Sequence, residues 1–279
     1  MMKIAVLGLG IIGGIWAKNL MADGHEVRCW NRTPKADFPN FRASIVEAVD
    51  GAEVIFIVVA DPPAVQSVLD QILPGLQPGQ MIIQSSTISP KWTKIFAQQV
   101  EQAGGLFVEA PFTGSKPAAE QRQTVYYLGG TPELVEKARP ILSSISKACL
   151  HIGPLGSAST LKLAMNMNVA GVAQMLCESL SLVRAAGISD DIYFKSLGMN
   201  VSHSGIADMK EPKLRAADYQ PQFSVKHMAK DLRLALETAD ELALSLDQTA
   251  SLKNTYERGM AAGLQEDDFI GLVRLLAQK

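Results

Sequence analysis

The chain has 279 residues, 47% of them hydrophobic and 19% charged, which suits about two packed domains and excludes a disordered or linker protein. With 26 Lys and Arg against 28 Asp and Glu, scattered along the chain, there is neither a nucleic-acid footprint nor a polybasic membrane patch. Cys29, Cys149 and Cys177 lie far apart with no Cys-x-x-Cys pair, so neither a disulfide framework nor a metal site is supported, and a reducing cytoplasm is expected. The opening run turns glycine-rich too early for a signal peptide, and no stretch supplies the ~20 apolar residues of a membrane span.

In chain order, short β-branched runs predict strands over Lys3–Leu7, Glu26–Trp30, Val54–Val59, Gln80–Gln84, Leu106–Ala110, Thr124–Leu128 and Ala148–His151. Helical patterns over Ile11–Asp23, Pro63–Ile72 and Pro90–Ala103 separate the earlier ones, with Ser89 as the expected N-cap of the third. Continuous apolar strands alternating with helices call for a parallel doubly wound sheet. From Ser157 to about Ala186 no proline interrupts a helix of ~30 residues, ~45 Å long, which stops at Gly187. Helical segments follow near Asp190–Gly198, Ile206–Ala216, Ser224–Leu244, Asp247–Ala262 and Asp267–Ala277, with Asp190 and Asp267 as N-caps and Glu211-Pro212 as a point of interruption. The expected α/β architecture is an N-terminal Rossmann domain, residues 1–155, and an all-α C-terminal substrate and dimerisation domain, residues 156–279, linked by the long helix.

The segment Gly8-Leu9-Gly10-Ile11-Ile12-Gly13 places Gly-x-Gly-x-x-Gly between the first strand and the first helix. The three glycines serve a tight turn, close approach of a pyrophosphate and helix-on-strand packing, so a dinucleotide is the expected ligand; the plain alternative is an ordinary strand-to-helix turn. At the end of the second strand, where a carboxylate would bind the adenosine ribose, stand Asn31, Arg32 and Thr33. Donors and a positive charge there favour NADP(H), with NAD(H) as the second choice, unless Arg32 is merely a solvated surface residue.

Three further segments carry chemistry: Gln84-Ser-Ser-Thr87-Ile-Ser-Pro90, Glu109-Ala-Pro-Phe-Thr113-Gly114-Ser115 and Gly156-Ser-Ala-Ser-Thr-Leu-Lys162-Leu-Ala-Met-Asn166. With Lys230-Asp231-Leu232 they resemble, over essentially the whole chain, the β-hydroxyacid dehydrogenase family of 3-hydroxyisobutyrate dehydrogenase and tartronate semialdehyde reductase. Glyoxylate/succinic semialdehyde reductases are the most similar group, through Glu109-Ala-Pro and through Phe223-Ser-Val-Lys226-His227 leading into Lys230.

The resemblance implies that Lys162 is the general acid that protonates the carbonyl oxygen and that Asn166 orients it. Four residues apart on one helix, they share a face about 6 Å apart along the axis. An ammonium with a reference pKa of about 10.4 is already protonated at neutral pH, as reduction requires. Thr113 and Gly114 match the substrate-carboxylate loop, with threonine where serine is commoner; an ordinary post-strand turn is the plain alternative. Thr87 corresponds to a hydroxyl near the nicotinamide ribose or amide, and Gln84 stands where many relatives carry aspartate. Lys230 is the position that reaches the cofactor, against the alternative of a helix-surface ion pair with Asp231 or near Glu237. Phe223 is expected to bind substrate, His227 is a weaker lining residue, and Trp16 belongs to the core.

The implied partner is a small carboxylate substrate such as glyoxylate or succinic semialdehyde, with methylmalonate and tartronate semialdehydes behind them. Arg32, Lys162 and Lys230 would gather around the anions. A homodimer or homotetramer through the helical half is expected. Imine reductases share the pattern but usually lack a lysine at position 162, and 6-phosphogluconate dehydrogenase has a larger C-terminal domain. A non-catalytic NADP-binding interaction module is the reading of a different class, separated from an enzyme by turnover of any semialdehyde.

Overall fold

The computed structural model describes residues 1–276, and the chain divides into two compact units, Met1–Lys162 and Leu163–Lys279. The first is built on an eight-stranded sheet. Strands β1 (Lys3–Leu7), β2 (Glu26–Trp30), β3 (Val54–Ile57), β4 (Met81–Gln84) and β5 (Leu106–Glu109) run parallel in the order β2-β1-β3-β4-β5. Next to them β6 (Phe112–Thr113) and β8 (Ala148–Gly153) flank β7 (Val125–Gly129), which is antiparallel to β5.

Strand alternation decides what lies on each face. Ile4 and Val6 of β1 join a core with Trp16 and Leu20, while Ala5 and Leu7 join a second core with Val65 and Phe96. Helices α1 (Ile11–Ala22) and α6 (Pro132–Ser144) supply the first core, and α2 (Ile45–Val49), α3 (Pro62–Ile72) and α4 (Pro90–Gln102) the second. Burial on both faces is why the strands read as unbroken apolar runs, each large side chain contributing about 1.5–3 kcal/mol. The chain leaves β1 towards β2 on one side and returns to β3 on the other, and this reversal opens a crevice beyond the carboxyl ends of β1 and β3.

The strand expected over Val54–Val59 stops at Ile57, because the Val59 N–H leaves the ladder and donates to Ser86 Oγ at 2.8 Å. Absent from the sequence reading are α2, the short strand β6, α5 (Lys116–Glu120), which packs beside α1, and α6. The α6 start is marked by Thr131, whose side chain accepts from the Leu134 N–H, followed by Pro132.

In the second unit, α7 (Ser157–Ala185) leads into α8 (Asp190–Gly198), α9 (Gly205–Ala216), α10 (Val225–Glu241), α11 (Asp247–Ala261) and a 3-10 segment over Phe269–Leu276. Leu180, Met228, Leu232, Tyr256 and Ile270 form its core. Ser189, not Asp190, caps α8; Asp190 turns instead to Arg184, 2.6 Å away. Pro212 lies inside α9 without interrupting it, with Glu211 held by Arg215 at 2.8 Å. In place of a helix capped by Asp267 there is the 3-10 segment, organised by buried Asp268, which accepts from the Ile270 and Gln222 N–H groups and pairs with Lys210 at 2.8 Å. Ala277, assigned to that helix, lies outside the described residues. The two compact units divide at Lys162, inside α7, whose first turn is held by β5. Among the described residues no helix is long and apolar enough to cross a membrane.

Candidate active site

The glycine loop follows β1 directly. Gly8 has φ +107°, and a Cβ there would lie 2.2 Å from the Val58 carbonyl oxygen; at Gly13 a Cβ would lie 2.0 Å from the Gly8 carbonyl oxygen. Both glycines are demanded by the protein's own packing. Gly10 is different: its φ is −65° and a Cβ would meet nothing within 4 Å. Protein sterics give no reason for glycine at Gly10, whereas a pyrophosphate approaching the helix does, so the loop fits a dinucleotide.

Capping points the same way. Ser44, Asp61, Ser89 and Thr131 each cap a helix of this unit with a side chain, whereas α1, like the five-residue α5, has no side-chain cap and no acid in its first turn. Its first amide donors and positive dipole end are left for an anion. Leu9 is buried, Ile11 is exposed and Ile12 is half-buried, so the loop reaches solvent beside the last of its glycines.

At the end of β2, Asn31 Oδ1 accepts the Leu9 N–H at 2.9 Å and Asn31 Nδ2 donates to the Thr33 carbonyl at 2.8 Å. Asn31 therefore braces the glycine loop and ties it to the segment at Thr33. Arg32 and Thr33 are exposed, and Arg32 makes no hydrogen bond or ion pair among the described residues. Lys35, which sequence reasoning missed, donates to the Leu9 carbonyl and so brings a second cation to the same loop.

After β4, buried Gln84 accepts the Ser86 N–H and returns a bond to the Ser86 carbonyl, stapling the turn that presents half-buried Thr87. Glutamine thus serves this turn locally. Ser89 caps α4 as expected, accepting from the Trp92 N–H.

Strand β6 pairs Phe112 with Tyr126 and Thr113 with Val125, and ends at Gly114 with φ +132°. A Cβ at Gly114 would press 2.9 Å from Thr124 Cγ2, so the turn after Thr113 requires glycine. The Phe112 ring packs edge-on to the buried core residue Trp16 at 4.7 Å, and Lys162 Nζ lies 5.9 Å from the centroid of that same ring. The ring that the α7 ammonium approaches thus immediately precedes the Thr113–Gly114 turn in the chain, and the ammonium–ring contact is worth about 0.5–2 kcal/mol.

Within the second unit the structure brings together Asn166, Asp231 and Lys230. Asn166 Nδ2 donates to Asp231 Oδ2 at 2.5 Å, and Lys230 Nζ lies 3.0 Å from Asp231 Oδ1. The expected pairing of Lys230 with Asp231 exists, but it is not a solvated surface pair: the Asp231 side chain is 1% exposed. A carboxylate only accepts, so Asp231 fixes the flip of the Asn166 amide with Oδ1 turned away from it. Glu237 pairs elsewhere, with Arg233 at 2.6 Å. Phe223 stacks on His227 with ring centroids 5.9 Å apart, and His227 Nδ1 shares a 2.6 Å hydrogen bond with Ser224 Oγ. Burial, with Lys230 and Lys226 nearby, pushes the His227 imidazole below its ordinary pKa and keeps it neutral.

Residues 3–153 match the family model described as the NAD binding domain of 6-phosphogluconate dehydrogenase. Residues 156–276 match that described as NAD-binding of NADP-dependent 3-hydroxyisobutyrate dehydrogenase. The chain is 30% identical to glyoxylate/succinic semialdehyde reductase 1 of Arabidopsis thaliana, over 98% of this chain and 97% of that one. It is also 30% identical to 2-hydroxy-3-oxopropionate reductase of Escherichia coli K12, over 99% and 97%. A solved structure of Mycobacterium tuberculosis 3-hydroxyisobutyrate dehydrogenase with L-serine superposes with a TM-score of 0.89 at 25% identity, covering all of both chains.

Proposed function

The chain belongs to the β-hydroxyacid dehydrogenase family, NAD(P)-dependent enzymes of hydroxy acids, and from that premise we propose that it is an NADPH-dependent reductase of small aldehyde acids, with glyoxylate and succinic semialdehyde as its leading substrates. The observation that supports the reading is the Lys162 ammonium lying 5.9 Å from the centroid of the Phe112 ring, with the Thr113–Gly114 turn following Phe112 directly in the chain. A substrate whose acid end is held by the Thr113 hydroxyl and the amides of that turn presents its aldehyde oxygen to Lys162.

A dinucleotide held at the Gly8–Gly13 loop would supply the hydride for the carbonyl carbon. Lys162 stabilises the negative charge that develops on the oxygen and gives it the Nζ proton, yielding the hydroxy acid and a neutral amine that takes its next proton from water. Asn166, its amide oriented by Asp231, holds the donor and substrate in register. Gly8, Leu9, Gly10, Ile11, Ile12 and Gly13 form the pyrophosphate loop. Arg32, with Thr33 and Lys35 beside Asn31, supports a preference for a 2′-phosphate; Thr87 and Lys230 serve the nicotinamide end and Phe223 the substrate. The exposed Met175 and Leu182 of α7 and Ile192 of α8 support a homodimer or homotetramer, read by sedimentation.

Glyoxylate and succinic, methylmalonate and tartronate semialdehydes, each offered with NADPH and NADH, test the proposal. NADPH consumption with the first two, lost in Lys162→Ala, is the expected result. No turnover of any of the four with either cofactor overturns it and favours a non-catalytic NADP-binding module. Preferential turnover of methylmalonate or tartronate semialdehyde moves the assignment to a 3-hydroxyisobutyrate or tartronate semialdehyde enzyme.

A further inference from the structure

Glu109 ends β5 wholly buried, 0% exposed, and takes no part in the chemistry above. Its two oxygens divide the amides at the start of α7: Oε2 accepts the Gly156 N–H at 2.8 Å and Oε1 the Ser159 N–H at 2.6 Å. Opposite it in the sheet stands Gly129, where a Cβ would lie 2.0 Å from Oε2, so β7 leaves room for this carboxyl and no more. Thr93 of α4 ties the same turn through a 2.9 Å contact with Ser159 Oγ. Burial pushes the carboxyl pKa up, while the Ser159 hydroxyl and the amides of Gly156, Ser159 and Ala158 oppose that push. Lys162 follows Ser159 by three residues and leaves the helix on the same side.

We propose that Glu109 is a positioning residue: by clamping the first turn of α7 to the sheet it fixes where Lys162 Nζ stands over the Phe112 ring. This rests on Lys162 being the proton donor. A carboxylate is needed because both oxygens face N–H groups; a glutamine accepts at one and turns its own N–H groups on the other. A donor released from its register by about 1 Å loses on the order of a hundredfold in rate, whereas the glycine loop is anchored separately through Asn31 and β1.

The test uses the full chain carrying Glu109→Gln, Lys162→Ala or both, with three readouts. These are NADPH affinity by fluorescence quenching, amide hydrogen exchange over residues 156–162 without cofactor, and kcat with KM on the best aldehyde acid. In Glu109→Gln, exchange should quicken, NADPH affinity should hold within about twofold, and kcat should fall roughly 30- to 100-fold with little change in KM. In the Lys162→Ala background the same substitution should add almost nothing. If Lys162→Ala is inactive but Glu109→Gln keeps wild-type kcat, or lowers the double variant further by its full factor, the positioning role is overturned. If Lys162→Ala itself keeps wild-type turnover, the proton-donor reading fails instead. Should Glu109→Gln not fold, Glu109→Asp keeps the charge and shortens its reach: loss of kcat with intact NADPH affinity supports the role, and wild-type kcat refutes it.

Discussion

Gly10→Ala should separate cofactor binding from stability, because at Gly10 the protein leaves space that it does not itself use. The backbone there, φ −65° and ψ −168°, is open to alanine, and its Cβ would have no neighbour within 4 Å. Alanine reduces the freedom of the unfolded chain by about 0.4–1 kcal/mol, and as an N-cap it is worse than glycine by a similar amount. The two nearly cancel, so the melting temperature should move by no more than about 2 °C. The methyl group does stand in the way of a pyrophosphate on the α1 amides. Losing one or two charge-assisted hydrogen bonds at about 1.5–3 kcal/mol each weakens NADPH binding at least tenfold, and more than a hundredfold if both go. Gly13→Ala is the contrasting case: a Cβ 2.0 Å from the Gly8 carbonyl oxygen forces backbone apart and should cost about 1–3 kcal/mol or more before any ligand is added. Thermal melts of the cofactor-free protein and NADPH titrations by fluorescence quenching measure both. An NADPH affinity within twofold of wild type in Gly10→Ala, or a melting temperature lowered as far as in Gly13→Ala, would refute the reasoning.

Reversing the charge at exposed Arg32 with Arg32→Glu should lower kcat/KM for NADPH by about 10- to 100-fold and leave that for NADH within about threefold; equal losses with both cofactors count against a 2′-phosphate contact. Burial holds His227 below its ordinary pKa of 6.5, so the unfolded chain binds a proton that the folded one resists. Its contribution is therefore complete above pH 6.5 and lost as the pH falls towards the depressed folded value. Urea unfolding of His227→Gln should lack this decline, and an unchanged pH dependence would discount the buried imidazole. Burial pushes the Cys29 and Cys177 thiols up to about 12, while Cys149 is half-buried. A thiol reagent at neutral pH should thus label Cys149 alone in the folded protein, and labelling of all three would contradict the packing.

The sequence was most readable where one local rule governs. β1, β2 and the long α7 are found as expected because strand alternation and a proline-free run need no distant information. Gly13 was legible for the same reason, since it packs against the Gly8 carbonyl five residues earlier, whereas Gly8 is constrained by Val58, 50 positions away, and was legible only through the spacing of the glycine motif. What escaped is set by partners remote in sequence. Asp231 meets Asn166 across 65 positions, and Glu109 meets the α7 amides across 47 and 50. Asp190 was a plausible cap by residue type, but Ser189 has the extended backbone a cap needs and Asp190 has Arg184. The end of β3 was misjudged because a serine hydroxyl on another strand's turn intercepts the Val59 amide. Lys35 shows the remaining gap: nothing in a loop of Pro, Lys and Ala says that the ammonium turns back to a carbonyl 26 residues earlier.

The border between the two compact units falls between Lys162 and Leu163, inside a helix of 29 residues and not in a loop. A gene fusion that swapped helical halves between relatives at that border would cut Lys162 from Asn166 one turn away and join two helical registers that had never been matched. A crossover at Leu155 would keep Lys162 and Asn166 on one inherited segment, but it would face the Glu109 carboxylate of one parent with the first-turn amides of the other. Neither border yields halves that can be exchanged without rematching these contacts.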